Sequence, residues 1–275
     1  MAAANLGSPL KSLVRLLLYA GFTLPLMPVQ AFAVLLDLPL QRTMPLWYHR
    51  HCCRLLGFRV ETHGRKSTVH PTLYASNHVS YIDIMILGSL IEGSFVAKAE
   101  VAGWPLYGWL AKLQRSVFVE RRGRAAVAHR DEMSDRLERG DDLILFPEGT
   151  SSDGNRVLPF KSALFSVAER RPRGEALLVQ PVSIAYTKLD GMPMGRYLRP
   201  LFAWYGDMEM GSHLWYAVGL GQVTVTVEFH PPVTVDELGS RKALSEHCQA
   251  RVAAGVAAAL TGRPMIAPEG APVTV

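Results

Sequence analysis

Cysteine is scarce in this 275-residue chain, which has only Cys52, Cys53 and Cys248. Neighbouring cysteines rarely bridge each other and three is an odd number, so no disulfide framework is implied; that fits a reducing cytosolic face. The histidines and cysteines are scattered without the repeated spacing of a metal-ligand set, so no metal site is expected. Blocks of five like charges and stacking-aromatic RNA motifs are missing as well, which argues against nucleic acid as a partner. The G-x-S-x-G nucleophile elbow is also absent: Gly149-Thr150-Ser151-Ser152-Asp153 fails at its last position. No internal repeat is visible.

Charged residues make up 19% of the chain and apolar ones 49%, enough for a substantial core, and the apolar residues are unevenly placed. A net charge of +5 points to an anionic partner such as a lipid surface or a phosphorylated substrate. From Leu16 to Leu40 the chain is almost wholly apolar, broken by Pro25, Pro28 and Asp37. Lys11 and Arg15 precede this stretch, and Arg42, His49 and Arg50 follow it. It is long enough to span a bilayer. The prolines and the two basic flanks support a second reading, in which the segment enters one leaflet, bends near Pro25-Pro28 and returns. A buried soluble helix is the third. A secretory signal fits less well, because the run is long and lacks a small-residue cleavage site. Residues 1–57 are therefore expected to form a membrane-associated helical region, by span or by hairpin, and 58–275 a second domain.

That second part alternates strand, turn and helix. The first part ends in residues 44–56, which read as an amphipathic helix stopped by Gly57. Strands are expected at Phe58–Thr62, Thr72–Ala75, Ser94–Ala97, Val117–Val119, Leu143–Phe146, Leu177–Tyr186 and Val223–Phe229. Helices are expected after Asp83, over 104–114, from Ala125 to Arg139 with Gly140 as C-cap, and over 241–260. The fold class is α/β: a mixed, mostly parallel central sheet flanked by helices, with sites at strand ends. Aromatics at 104–109 and 202–216 suit an interfacial belt, an acyl groove or ordinary core packing.

Ser76-Asn77-His78-Val79-Ser80-Tyr81-Ile82-Asp83 is the stretch around which the rest is arranged. It follows a β-type run and precedes an apolar helical one, which puts His78 on a strand-to-helix turn. With His78 ahead of the helix and Asp83 in its first turn, the two side chains can meet. A carboxylate on one imidazole nitrogen leaves the other to take a proton. The competing reading is structural: Ser80-x-x-Asp83 fits a capping box, with Asp83 near the positive helix end. Later strand ends carry Arg121, Arg122 and Arg124, then Glu148-Gly149-Thr150, then Lys161. Singly, these read as a solvated charge run and a turn.

In this order, the clusters resemble the glycerophospholipid acyltransferase family, which includes the lysophosphatidate acyltransferases. Asn77-His78-x-x-x-x-Asp83 resembles its first motif and Val117-Phe118-Val119-Glu120-Arg121 its second. Phe146-Pro147-Glu148-Gly149-Thr150 resembles the third and Val179-Gln180-Pro181-Val182 the fourth. The likeness covers about residues 58–230. Three departures stand out: Arg115, Gln180, and Ser162-Ala163 after Phe160-Lys161. All three are expected where the acceptor's head group is read.

The resemblance implies a membrane-associated enzyme with its active site on the cytoplasmic face. His78, oriented by Asp83, would deprotonate a lysolipid hydroxyl, which attacks the thioester of acyl-CoA or acyl-carrier protein directly. Arg121 would hold the acceptor's phosphate, with Arg124 and Lys161 assisting. Glu148, Gly149 and Thr150 would shape the acceptor site, Glu148 bonding a glycerol hydroxyl. No cofactor beyond the acyl donor is implied. The expected acceptor is lysophosphatidic acid, giving phosphatidic acid. The alternatives are another lysolipid such as lyso-ornithine lipid, or a non-catalytic lipid-binding scaffold; a hydrolase fits least.

Overall fold

The computed structural model describes residues 6–119 and 125–263. Two long helices, α1 (Pro9–Leu35) and α2 (Leu40–Leu56), lead into β1 (Phe58–Gly64) and β2 (Thr72–Ser76). There follow α3 (Ile82–Gly88), β3 (Gly93–Lys98), α4 (Tyr107–Leu113), β4 (Val117–Val119), α5 (Ala125–Glu138) and β5 (Asp142–Leu145). After a 3-10 segment over Ser162–Glu169 come β6 (Leu178–Leu189), β7 (Met192–Pro193), α6 (Met210–Gly219), β8 (Val223–Phe229), α7 (Val235–Leu238) and α8 (Arg241–Thr261). Every expected strand is present, with ends shifted by a few residues. The expected helix over 104–114 shrinks to α4, and α6 was not anticipated.

The strands form one sheet in the order β1-β8-β6-β2-β5-β3-β4, with β7 paired to β6. From β6 to β4 the neighbours along this order are parallel; β8 turns antiparallel to β6 and carries β1 parallel to itself. The sheet is thus mixed and mostly parallel, as expected. Period-two alternation divides its side chains between two cores. Tyr74, Ile144, Ile184 and Val225 face the core shared with α2, α3 and α6. Leu73, Ala75, Leu143 and Val179 face the core shared with α5 and α8. Helices cover both faces, so the strands read as near-continuous apolar runs. The three cysteines are free and buried.

The N-terminal segment bends, though away from Pro25-Pro28. Both prolines lie inside one continuous helix. The chain reverses at residues 36–39, where Asp37 takes φ +50° and Pro39 opens α2. There the left-handed residue and the proline supply the turn, whereas Pro25 and Pro28 sit in a helix held along its length by neighbours. Near its start, Ser12 Oγ donates to Trp215 O at 2.7 Å and Arg15 donates to Val218 O at 2.8 Å, where α6 ends. In its middle, Thr23 bonds Tyr48 of α2 at 2.9 Å. Near its end, Gln30 Nε2 donates to Gln41 O and Leu113 O. The opposite face is open: Leu10, Leu17, Leu24, Phe32 and Leu35 are exposed along a helix long and apolar enough to cross a membrane. Trp109 of α4 and Trp215 of α6 are exposed too, on helices that pack against α1. A contiguous exposed apolar face of this kind marks a membrane or partner surface.

Candidate active site

Parallel register brings the site together. Leu73, Tyr74 and Ala75 of β2 lie opposite Leu143, Ile144 and Leu145 of β5. The residues that follow the two strands therefore leave the sheet side by side, although 70 positions separate them. The ring of His78 stacks on that of Phe146, with centroids 4.1 Å apart at 20°. The backbone N–H of His78 donates to Glu148 Oε1 at 2.8 Å, and its carbonyl accepts from Ser152 N at 2.9 Å. Asn77 pairs with the backbone of β6 through both ends of its amide, Nδ2 to Ile184 O at 2.9 Å and Ile184 N to Oδ1 at 2.8 Å. The side-chain amide thus continues the β2–β6 ladder past the end of β2 and fixes where the next residue emerges.

His78 and Asp83 meet, at 2.9 Å between Nδ1 and Oδ2. Oδ2 also accepts from Val79 N at 2.6 Å and Ser80 N at 2.9 Å, while Oδ1 accepts from Tyr186 OH at 2.8 Å. Asp83 is fully buried, and these four donors offset the cost of burying its charge. The two readings of Asp83 are realised together, since one carboxylate holds the imidazole and closes the helix start. The full capping box is not formed: α3 has no side-chain N-cap, and Ser80 Oγ is buried without a hydrogen-bond partner. With Nδ1 directed at Asp83, Nε2 is the free nitrogen of a side chain that is 20% exposed.

Tyr186 was not recognised as a site residue from the sequence. It reads as one more apolar position of β6, 103 residues from its partner, and only the β2–β6 pairing shows that it reaches Asp83. Tyr186→Phe removes one donor from a buried carboxylate and leaves ring packing intact. The expected result is a roughly tenfold fall in kcat, about 1.4 kcal/mol, at unchanged KM. Steady-state kinetics check it, and an unaltered kcat would show that the turn alone positions Asp83.

Glu148 differs from expectation. Its Oε1 accepts from His78 N and its Oε2 from Leu158 N at 3.0 Å, and it is buried. Burial pushes its carboxyl up to about 8, with the Asp83 charge adding to the rise and the two N–H donors opposing it. A carboxyl occupied this way ties the His78 turn to the chain at Leu158. Gly149 follows at φ +68°, a conformation that favours glycine, and Thr150 is exposed. Lys161 is exposed, and its backbone N–H donates to Pro147 O at 2.9 Å, so it lies beside the same turn. Arg121, Arg122 and Arg124 lie outside the described residues.

Two of the three departures are not at this edge of the sheet. Arg115 precedes β4, and its guanidinium lies 2.5 Å from Asp141, just before β5. Gln180 is fully buried; its Oε1 accepts from Ser67 N at 2.8 Å, and its Nε2 donates to Arg65 O and His230 O. Both are scaffold contacts at or towards strand starts, while His78 and Glu148 follow strand ends. Ser162-Ala163, next to Lys161, is the departure left near the site. Among the described residues, no three His, Cys, Asp or Glu side chains converge as a metal site.

Comparison with known proteins settles the class. Residues 58–185 match the family model described as Acyltransferase. A lyso-ornithine lipid O-acyltransferase of Brucella abortus is 46% identical over 247 residues, 88% of this chain and 92% of that protein. This chain belongs to the acyltransferase family. The acyltransferase is also 42% identical to a lyso-ornithine lipid O-acyltransferase of Rhizobium meliloti, over 91% of this chain and 87% of that one. A 1-acyl-sn-glycerol-3-phosphate acyltransferase of Neisseria gonorrhoeae is 32% identical over 70% and 73% of the two chains. The crystal structure of a 1-acyl-sn-glycerophosphate acyltransferase from Thermotoga maritima shares the fold, with TM-score 0.59 and 24% identity over 81% of this chain and 80% of that one. The enzyme is thus an acyltransferase of the lysophospholipid type.

Proposed function

We propose that the enzyme transfers a fatty acyl group from a thioester donor, acyl-CoA or acyl-carrier protein, to the free hydroxyl of lyso-ornithine lipid. The observation that carries this acceptor is the 46% identity across nearly the whole length of a lyso-ornithine lipid O-acyltransferase, against 32% over a shorter stretch for an enzyme named for acylglycerol phosphate. Lysophosphatidic acid, the acceptor expected from the motifs alone, becomes the comparison substrate. An ornithine head group carries a carboxylate, and Arg121 with Arg124 suits a carboxylate fork as well as a phosphate.

In this reading Nε2 of His78 removes the acceptor's hydroxyl proton as the oxygen attacks the thioester carbonyl carbon. The C–S bond then breaks, the proton passes from His78 to the leaving thiolate, and no acyl-enzyme forms. Asp83 stabilises the imidazolium, and Tyr186 and the Val79 and Ser80 N–H groups hold Asp83 in place. Glu148 holds the His78 turn, Gly149 and Thr150 complete it, and Lys161 stands at its rim. No cofactor is required. Residues 1–57 serve as the membrane-associated part and 58–275 as the transferring part. The open face of α1 lies in the bilayer surface on the cytoplasmic side while its other face stays docked on the body.

The test is thiol release by the purified enzyme, with acyl-CoA and acyl-carrier protein each offered lyso-ornithine lipid and lysophosphatidic acid. Release with lyso-ornithine lipid at least tenfold above that with lysophosphatidic acid is the expected result. The reverse preference would return the acceptor to lysophosphatidic acid.

A further inference from the structure

A cleft opens at the end of the sheet where the strands begin, opposite the end that carries His78. Its volume is about 420 Å³, in the usual range for small-ligand sites. Roughly 15 Å, the length of a short strand, separates it from His78. Its floor is Asp141 and Asp142 at the start of β5. Three guanidiniums converge on the buried Asp141: Arg115 at 2.5 Å, Arg42 at 3.2 Å and Arg136 at 3.4 Å. Asp142 is occupied by His70 Nδ1 at 2.9 Å and Thr72 N at 2.8 Å. Lys66, Arg139 and Arg173 add three more cations; Lys66 and Arg173 donate to the backbone carbonyls of Leu90 and Glu138.

Arg42, Lys66, Arg115, Arg139 and Arg173, five cations, thus line the cleft with three carboxylates, Asp141, Asp142 and Glu92, an excess of two in a chain whose net charge is +5, while Arg136 reaches Asp141 from outside the lining. This excess favours an anion in the cleft, and arginine forks lining one cavity suit phosphate oxygens. Arg115 and Arg173 hold φ of +59° and +56°, left-handed conformations that a non-glycine residue keeps only where its surroundings impose them. The source of the anion is suggested by position. Gln41, Arg42, Pro45 and Leu46 line the cleft directly after the α1–α2 turn, whose Leu35, Leu36, Leu38 and Leu40 are exposed. The cleft therefore adjoins one end of the apolar surface.

We propose that this cleft binds a phosphate group, supplied by the head group of an anionic phospholipid in the membrane on which the enzyme sits. The site is separate from the reaction edge, and its test does not depend on which acceptor the enzyme uses.

The full-length protein is compared with the double variant R42Q/R139Q, whose two side chains are exposed, and with R59Q/K242Q, which removes the same charge elsewhere. Binding is measured by flotation with phosphatidylcholine vesicles and with vesicles containing about one third phosphatidylglycerol. The melting temperature is measured against added inorganic phosphate. The wild type is expected to bind the anionic vesicles about tenfold more tightly than the neutral ones. R42Q/R139Q should lose most of that gain while keeping its affinity for phosphatidylcholine, and R59Q/K242Q should retain it. Phosphate should raise the melting temperature of the wild type and of R59Q/K242Q but not of R42Q/R139Q. A phosphate effect without any phosphatidylglycerol gain would keep the phosphate site and overturn its lipid occupant. Equal behaviour of the two double variants in both measurements would overturn the site itself.

Discussion

Alanine at position 78 is expected to lower acyl transfer by about 10³-fold, within the range for loss of a positioned general base. The fold should survive. What Glu148 and Ser152 hold is the backbone of residue 78, which alanine keeps, and the imidazole belongs to neither core. Thiol release at saturating substrate measures the loss, and circular dichroism with vesicle flotation establishes that folding and membrane binding are unaltered. Activity within tenfold of the wild type would end the base assignment.

Asp83→Asn is the second substitution with a large expected effect. The wild-type carboxylate takes four donors, three of them on Oδ2. Asparagine can place its carbonyl oxygen in the position of Oδ2 and turn its amide towards the Tyr186 oxygen, so the turn can still close. The negative charge beside the imidazole is gone, and the imidazolium formed during proton transfer loses its stabilisation. A fall in kcat of about 10³-fold is expected, with folding stability reduced by about 2 kcal/mol for the weakened buried network. The two residues act as a unit, so H78A/D83N should be no slower than H78A alone. Additive losses in the double variant would show that Asp83 acts apart from His78.

How much could be read from the chain differs by feature. Strands were legible because β-branched and apolar runs end at Gly, Pro or Asn. Asn77, His78 and Asp83 were legible because a strand-to-helix turn brings residues five apart into contact. The reversal at residues 36–39 was misplaced because two prolines carry a strong local signal, while packing along α2, α4 and α6 keeps them helical. Tyr186, Glu148 and Gln180 each bond a partner 70 or more positions away, and no local pattern marks a residue that bonds so far along the chain. The resemblance places Glu148 at the acceptor, and only the fold shows that its carboxyl is buried and accepts from the backbone of His78 and Leu158. The basic cleft was invisible for the same reason: its cations are spread from Arg42 to Arg173 and meet only where the strands begin.

The β2–β5 register has a consequence for tolerance to insertions and deletions. His78 and Glu148 are adjacent because two parallel strands end level with each other, not because a fixed number of residues lies between them. Length changes in the loops between α3 and β5 should leave the pair intact, so homologues can differ there without losing the reaction. One residue added between Leu143 and Glu148 would move the carboxylate about 3.3 Å along the strand direction and turn the following side chains to the other face. Order and strand-end position, rather than chain separation, are therefore what this site keeps constant as its sequence drifts.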